Sequence, residues 1–145
     1  MTEKNIITFR KALDTDIPYL LWLRKTTMEA TLIDSGISVD LNKHMQALRY
    51  QFDLAKIILL NDVEIGMIKK DTDYHFIEII QLQISPEYQG KGYGRSIIQT
   101  IIDEARGLGL KIRLSVLKKN QAIKLYHNMG FKVVDEDKYS FIMLR

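Results

Sequence analysis

The sequence of 145 residues contains no cysteine. That excludes a disulfide framework, a cysteine-bearing zinc site, an iron–sulfur cluster, and any thiol nucleophile or cysteinyl acyl-enzyme, and it is compatible with a reducing, cytoplasmic setting. Proline is scarce, with 2 residues against 8 glycines, so collagen-like and proline-rich linker compositions fall away. Long apolar runs are missing too. Tyr19–Leu23 and Ile57–Leu60 are the longest type present, far below the roughly 20 residues that span a bilayer. Thr2, Glu3 and Lys4 replace the apolar segment of a secretory signal, and no membrane partner is expected. There is also no block of one charge. The 21 Lys and Arg are interspersed with 18 Asp and Glu, for a net charge of +3. Lys69-Lys70, Lys91 with Arg95, and Lys118-Lys119 are too short to form a basic arm, so no nucleic-acid partner is expected either.

What is present is ordinary globular composition, 46% hydrophobic and 27% charged, at a length that fits one domain over residues 1–145. Ile6–Lys11 alternates as a strand. Asp14, Thr15 and Asp16 offer an N-cap before Pro18, and a helix carrying Leu20, Leu21, Leu23 and Met28 runs to about Ala30. Thr31–Asp40 reads as a loop, and Asp40 or Asn42 caps a second helix reaching about Phe52. Strands Lys56–Leu60 and Glu64–Lys69 flank the turn Asn61-Asp62, and Asp71–Asp73 is a second turn. Phe76–Ile84 is a long strand ended by Pro86. Ile97, Ile98, Ile101, Ile102 and Ala105 form the buried stripe of a helix stopped by Gly107 and Gly109. Lys111–Val116 is a strand, Asn120–Met129 a short helix closed by Gly130, and Phe131–Val134 and Tyr139–Leu144 are the last strands. The order β-α-α-β-β-β-α-β-α-β-β predicts an α/β (α+β) domain with a mixed sheet, helices on both faces and a parallel pair at its centre.

The segment Gln89-Gly90-Lys91-Gly92-Tyr93-Gly94 lies between a strand end and a helix start. Successive N–H groups there can point at one anion, reinforced by the helix dipole, and glycines permit close approach and positive φ. The spacing matches neither the dinucleotide G-x-G-x-x-G nor the P-loop. A bare strand-to-helix turn accounts for the glycines equally well.

The neighbourhood of this loop resembles the GCN5-related N-acetyltransferases (GNAT). Their pyrophosphate loop reads [Q/R]-x-x-G-x-[G/A], and Gln89, Gly92 and Gly94 fill its places, preceded by Ile84, Ser85 and Pro86. The run Leu114–Phe131, with Asn120, Ala122, Leu125-Tyr126 and Gly130-Phe131, is similar to the family's second block. The resemblance implies a mostly antiparallel sheet with a splayed central parallel pair. It also implies acetyl-CoA as co-substrate and no metal. The pyrophosphate would lie on the backbone of Gln89, Gly90, Lys91, Gly92, Tyr93 and Gly94, with Lys91 and Arg95 facing phosphates. The pantetheine arm would follow Leu82, Gln83 and Ile84, whose backbone can hold the thioester carbonyl as an oxyanion-type site. Asn120 would touch the arm besides capping its helix. Tyr126 would protonate the departing thiolate, or else only pack its helix on the sheet. Glu78 is the candidate base, with a water chain and Gln81 as the alternatives. By strand alternation Glu78 shares a face with Ile80 and Leu82 unless a bulge intervenes.

The resulting expectation is an N-acetyltransferase in which the amine of a small molecule or peptide attacks the thioester directly in a ternary complex. The alternative is a non-catalytic acyl-CoA binding or sensing domain. Glu29, Asp34, Asp40, Asp135, Glu136 and Asp137 make the acceptor side acidic, which suggests a cationic amine. Trp22 and Met28 belong either to the core or to the acceptor pocket. His44, His75 and His127 have no metal-ligand spacing, and Ser96 lacks a nucleophile elbow. The apolar final strand Tyr139–Leu144 offers an edge for a homodimer.

Overall fold

The structure is a computed structural model describing residues 5–145; residues 1–4, which the secretory-signal reading concerned, lie outside the described residues. The chain runs β1 (Ile7–Lys11), α1 (Ile17–Asp34), α2 (Leu41–Arg49), β2 (Ala55–Leu60), β3 (Val63–Thr72), β4 (Phe76–Ile84), α3 (Tyr93–Leu108), β5 (Lys111–Leu117), α4 (Ala122–Asn128), β6 (Lys132–Glu136) and β7 (Ser140–Leu144). One seven-stranded sheet takes the order β1-β2-β3-β4-β5-β7-β6, antiparallel except for the central pair β4 and β5. The mixed sheet with a central parallel pair is therefore as the element order predicts. The last strand differs. Between β5 and β6, β7 has both edges hydrogen-bonded, so it cannot pair across a dimer; the free edges belong to β1 and β6.

Helix ends follow local chemistry more closely than apolar spacing. α1 continues past Ala30 to Asp34 because Leu32 is buried and the stop comes only at Gly36, with φ +78°. α2 begins at the Asp40 cap, whose carboxylate accepts the Lys43 N–H at 2.8 Å. It ends at Arg49, ahead of Gln51 in the left-handed region at φ 49°. The β3–β4 turn falls later than Asp71–Asp73. Asp71 and Thr72 extend β3, and the Asp73 carboxylate accepts the N–H groups of His75 and Phe76 at 2.6 and 2.8 Å.

The sheet separates two apolar cores. On one face the predicted stripe of α3 packs with Ile58, Ile77, Ile79, Leu114, Phe131 and Tyr126. On the other, Leu20 and Leu23 of α1 and Leu48 of α2 cover Ala55, Ile57 and Met67. Two bulges adjust which residues reach which core. Ile58 pairs with Gly66 and Leu59 with Glu64, leaving Ile65 unmatched in β3; Lys69 pairs with Gln81 and Lys70 with Ile79, leaving Ile80 unmatched in β4.

Lys69 is wholly buried, and its ammonium donates to the carbonyls of Ala47, Leu48 and Tyr50 at the end of α2. Those carbonyls hold the charged form at the negative end of the helix. Burial, helped by neighbouring Arg24, pulls the pKa from 10.5 to about 8. The unfolded chain therefore takes up the proton at a pH where the folded chain has not. Across about pH 8 to 10.5 the unfolded state binds more protons, so this group makes stability rise with pH and its penalty is complete below 8. Urea unfolding of Lys69→Met is expected to lack this rise relative to wild type, and amide exchange in residues 41–49 is expected to quicken as α2 loses its tether. Parallel stability–pH curves for the two proteins would show that Lys69 keeps an ordinary pKa.

Candidate active site

Parallel pairing of β4 with β5 covers Phe76↔Lys111, Ile77↔Ile112, Glu78↔Arg113 and Ile79↔Leu114, then stops. The bulge at Ile80 redirects β4 at this point, while β5 stays bonded to β7 as far as Leu117↔Ser140. The strands part, and a cleft of about 860 Å³ opens through the sheet. Thr27 and Met28 of α1 line it on one face, and Ile98, Leu125 and Tyr126 on the other. Along Ile80–Ile84, β4 bonds to β3 on one edge only, so the peptide groups of the other edge face the cleft.

The glycine loop closes one end. Gly90 and Gly92 have φ of +73° and +88°, which a side chain would strain, whereas Gly94 already lies inside α3 with helical backbone. The N–H groups opening α3 have no partner within the helix. They sit beside the cleft, where the dipole of this 16-residue helix favours an anion. The Gln89 amide donates to the Ile84 carbonyl at 2.8 Å and fastens the loop to the end of β4. Arg95 lines the cleft. Lys91 is not itself part of the lining; its ammonium stands 5.7 Å from the centre of the ring of Tyr88, which is.

Tyr126 both packs and faces the cleft. Its ring meets Phe131 edge-on with centroids 5.5 Å apart, it is 7% exposed, and burial alone pushes its hydroxyl up to about 12. Asn120 lines the cleft as well, its carbonyl oxygen accepting the Ala122 N–H at 2.9 Å ahead of α4. Leu82, Gln83 and Ile84 line it from β4.

Glu78 is not brought to this cleft. It lies where β4 and β5 are still paired, its carboxylate 2.9 Å from Arg113, each side chain more than 40% exposed. The Ile80 bulge explains why the alternation argument misplaces it. Ile77 and Ile79 before the bulge and Leu82 and Ile84 after it all join the α3-side core, so Glu78 shares its face with Gln81 and Gln83. Those two glutamines reach towards the Ala47 carbonyl at 3.4 Å and the Met28 sulfur at 3.0 Å. Met28 lines the cleft, but Trp22 turns outward, 48% exposed.

The acidic residues of the acceptor side are largely engaged elsewhere. Asp40 caps α2, Glu29 lies 3.6 Å from His44, Glu136 pairs with Lys118 at 2.6 Å, and Asp137 accepts the N–H groups of Tyr139 and Ser140, which hold its pKa down. Asp34 stands at the cleft, where its backbone carbonyl accepts from the Lys119 ammonium at 2.6 Å and ties α1 to the loop after β5. Among the described residues no group of three His, Asp or Glu could hold a metal ion, and no helix is long and apolar enough to cross a membrane.

A sheet opened between two parallel strands, with a glycine-lined helix N-terminus at the gap, makes a cleft whose end favours an anion. The model of the Acetyltransferase (GNAT) family matches residues 22–131, and the chain belongs to that family. Over 52 residues it is 38% identical to the L-methionine sulfoximine/L-methionine sulfone acetyltransferase of Salmonella typhimurium, covering 34% of this chain and 30% of that one. It is 40% identical over 60 residues to an amino-acid acetyltransferase of Neisseria meningitidis, covering 41% of this chain and 13% of the other. The chain thus spans under a third of the length of either relative. Among solved structures, the PaiA N-acetyltransferase of Thermoplasma acidophilum in complex with coenzyme A superposes with a TM-score of 0.74 at 21% identity, over 97% of this chain and 98% of that one.

Gly66 supports the site from beneath and carries no signal in the sequence beyond being a glycine inside a strand. A Cβ there would fall on the Gln83 carbonyl oxygen and stand 3.2 Å from the Ile84 Cα. Gly66→Ala is expected to lower the denaturant midpoint, by about 1–3 kcal/mol in unfolding free energy, and to shift the amide resonances of residues 82–84. A variant as stable as wild type with those resonances unmoved would show that β4 is not seated on Gly66.

Proposed function

We propose that the protein transfers the acetyl group of acetyl-CoA to the amine of a small molecule or peptide, the amine attacking directly in a ternary complex. The observation that carries this reading is the position of Tyr126, a buried phenol beside a gap in the sheet whose end is an anion cradle. The residues fit the cofactor: the positive-φ glycines and free N–H groups of Gly90–Arg95 suit its diphosphate, and Arg95 adds a cation. The unpaired edge of Ile80–Ile84 suits the amides of a pantetheine arm, with Asn120 on the opposite wall. When bound, the cofactor supplies an activated thioester. Tyr126 holds a proton through neutral and mildly basic pH and can donate it to the sulfur as charge develops there and the C–S bond breaks. Because the phenol is a weaker acid than a thiol of reference pKa near 8.5, complete transfer depends on the phenolate regaining the proton that the attacking nitrogen gives up. With Glu78 tied to Arg113, we assign removal of the ammonium proton of the acceptor to solvent entering from the α1 side. A second copy, where one forms, would use the β1 or β6 edge.

Thiol release from acetyl-CoA with a panel of amines tests the reading. Wild type is expected to turn over, and Tyr126→Phe to lose about 10²-fold or more in kcat with cofactor affinity little changed. Because the phenol titrates near 12, wild-type activity is expected not to fall through Tyr126 ionisation below pH 10. Cofactor binding without turnover of any amine, and a Tyr126→Phe variant indistinguishable from wild type, would establish the acyl-CoA sensing alternative instead.

A further inference from the structure

We propose that the acceptor carries a carboxylate beside its amine and that Arg24 receives it; this rests on the acetyltransferase reading above. On α1, Arg24 stands three and four residues before Thr27 and Met28, which line the cleft, so the three share one side of the helix. Its Nε is fully shielded from solvent and makes no hydrogen bond. Its Nη1 has only the Met28 sulfur, at 3.6 Å, a weak acceptor. Burial lowers the pKa of the guanidinium and no acid offsets it. Two other arginines of the fold show what an occupied guanidinium looks like: Arg10 holds Asp16 and Glu64 at 2.8 and 2.9 Å, and Arg113 holds Glu78 at 2.9 Å. A guanidinium partly withdrawn from water, its Nε wholly so, with no anion is a position that a ligand anion would improve.

The surroundings supply more donors. The Gln83 amide approaches the same Met28 sulfur at 3.0 Å, from β4. Lys69 is close enough to Arg24 for each to repel the other's charge, although its ammonium is taken up by the end of α2. Met28 thus stands between Arg24 and a cleft-lining amide, and its three freely rotating bonds let the thioether move aside. What then faces the cleft is a planar fork of N–H groups with a carboxamide beside it, a set that fits a carboxylate and opposes a second ammonium. An acceptor with amine and carboxylate on one small skeleton would place the first in the gap and the second on α1. This reverses the cationic acceptor suggested by the acidic loops, whose carboxylates are mostly occupied.

The test compares N-acetyl-L-leucine with N-acetyl-L-leucinamide for binding to the CoA-saturated protein by calorimetry, alongside thiol release with L-leucine and with 3-methylbutylamine. The acetylated pair removes the difference in amine basicity. Wild type is expected to prefer the carboxylate by about tenfold or more. Arg24→Gln is expected to abolish the preference and raise the KM for leucine while leaving that for 3-methylbutylamine unchanged. Arg24→Lys, which keeps the charge but loses the fork, is expected to retain part of the preference, and serves alone if the glutamine variant does not fold. Equal binding of the two acetylated compounds to wild type, or an undiminished preference in the Arg24 variants, overturns the subsite. Loss of all thiol release with the carboxylate preference intact would instead defeat the acetyltransfer reading and leave the subsite standing.

Discussion

The whole arrangement depends on one interruption: the hydrogen-bond ladder between β4 and β5 ends after Ile79↔Leu114. A sheet of seven strands would otherwise wall its two cores off from each other completely. The interruption has two causes acting together. Ile80 bulges out of register with β3 and re-aims β4, while beyond the bulge β4 follows β3 and β5 stays fastened to β7, so the two strands part. Peptide groups that would have paired are left facing a cavity, a cost that folding tolerates because the α3-side core and the β3 seat at Gly66 hold β4 in place.

The two mouths of the cleft differ chemically. On the α3 side, backbone N–H groups and Arg95 present a positive helix end, and Tyr126 is kept neutral by its apolar surroundings. On the α1 side the lining is mainly amide, hydroxyl and thioether, with Asp34 at the end of α1 and an unpaired guanidinium one layer behind. On the proposed reading, a long anionic cofactor and the acceptor would be sorted to opposite faces of the sheet before they meet. The tie between Lys119 and the Asp34 carbonyl joins α1 to the loop after β5, so two walls of the cleft are mechanically linked.

Much of this was legible in the sequence where the signal is local. The glycine loop, the isoleucine stripe of α3 and the block from Leu114 to Phe131 depend on short spacings; the stripe packs as its spacing predicts, and Tyr126 and Asn120 lie at one cleft with the loop glycines Gly90, Gly92 and Gly94, though Lys91 does not. What was not legible depends on register between distant strands. Alternation places Glu78 with Ile80 and Leu82, and a single unmatched residue reverses that, a fact no one-dimensional pattern contains. The interior position of β7, with strands on both sides, is likewise a property of sheet order. Lys69 could have been noticed, since it shares the inward face of Met67 by period two, but its partners at the end of α2 are 19 to 22 residues away. Arg24 had no pattern at all; a shielded Nε without a hydrogen bond, on a guanidinium without a counterion, is what singles it out.

The exposed edge of β4 also bears on how long the molecule survives. A ligand lying along Ile80–Ile84 would stand where a neighbouring strand is missing, and every such contact belongs to the folded state alone. By mass action the folded population would then grow with ligand concentration, and the lifetime of this protein against unfolding and proteolysis would become a readout of how much of that ligand surrounds it.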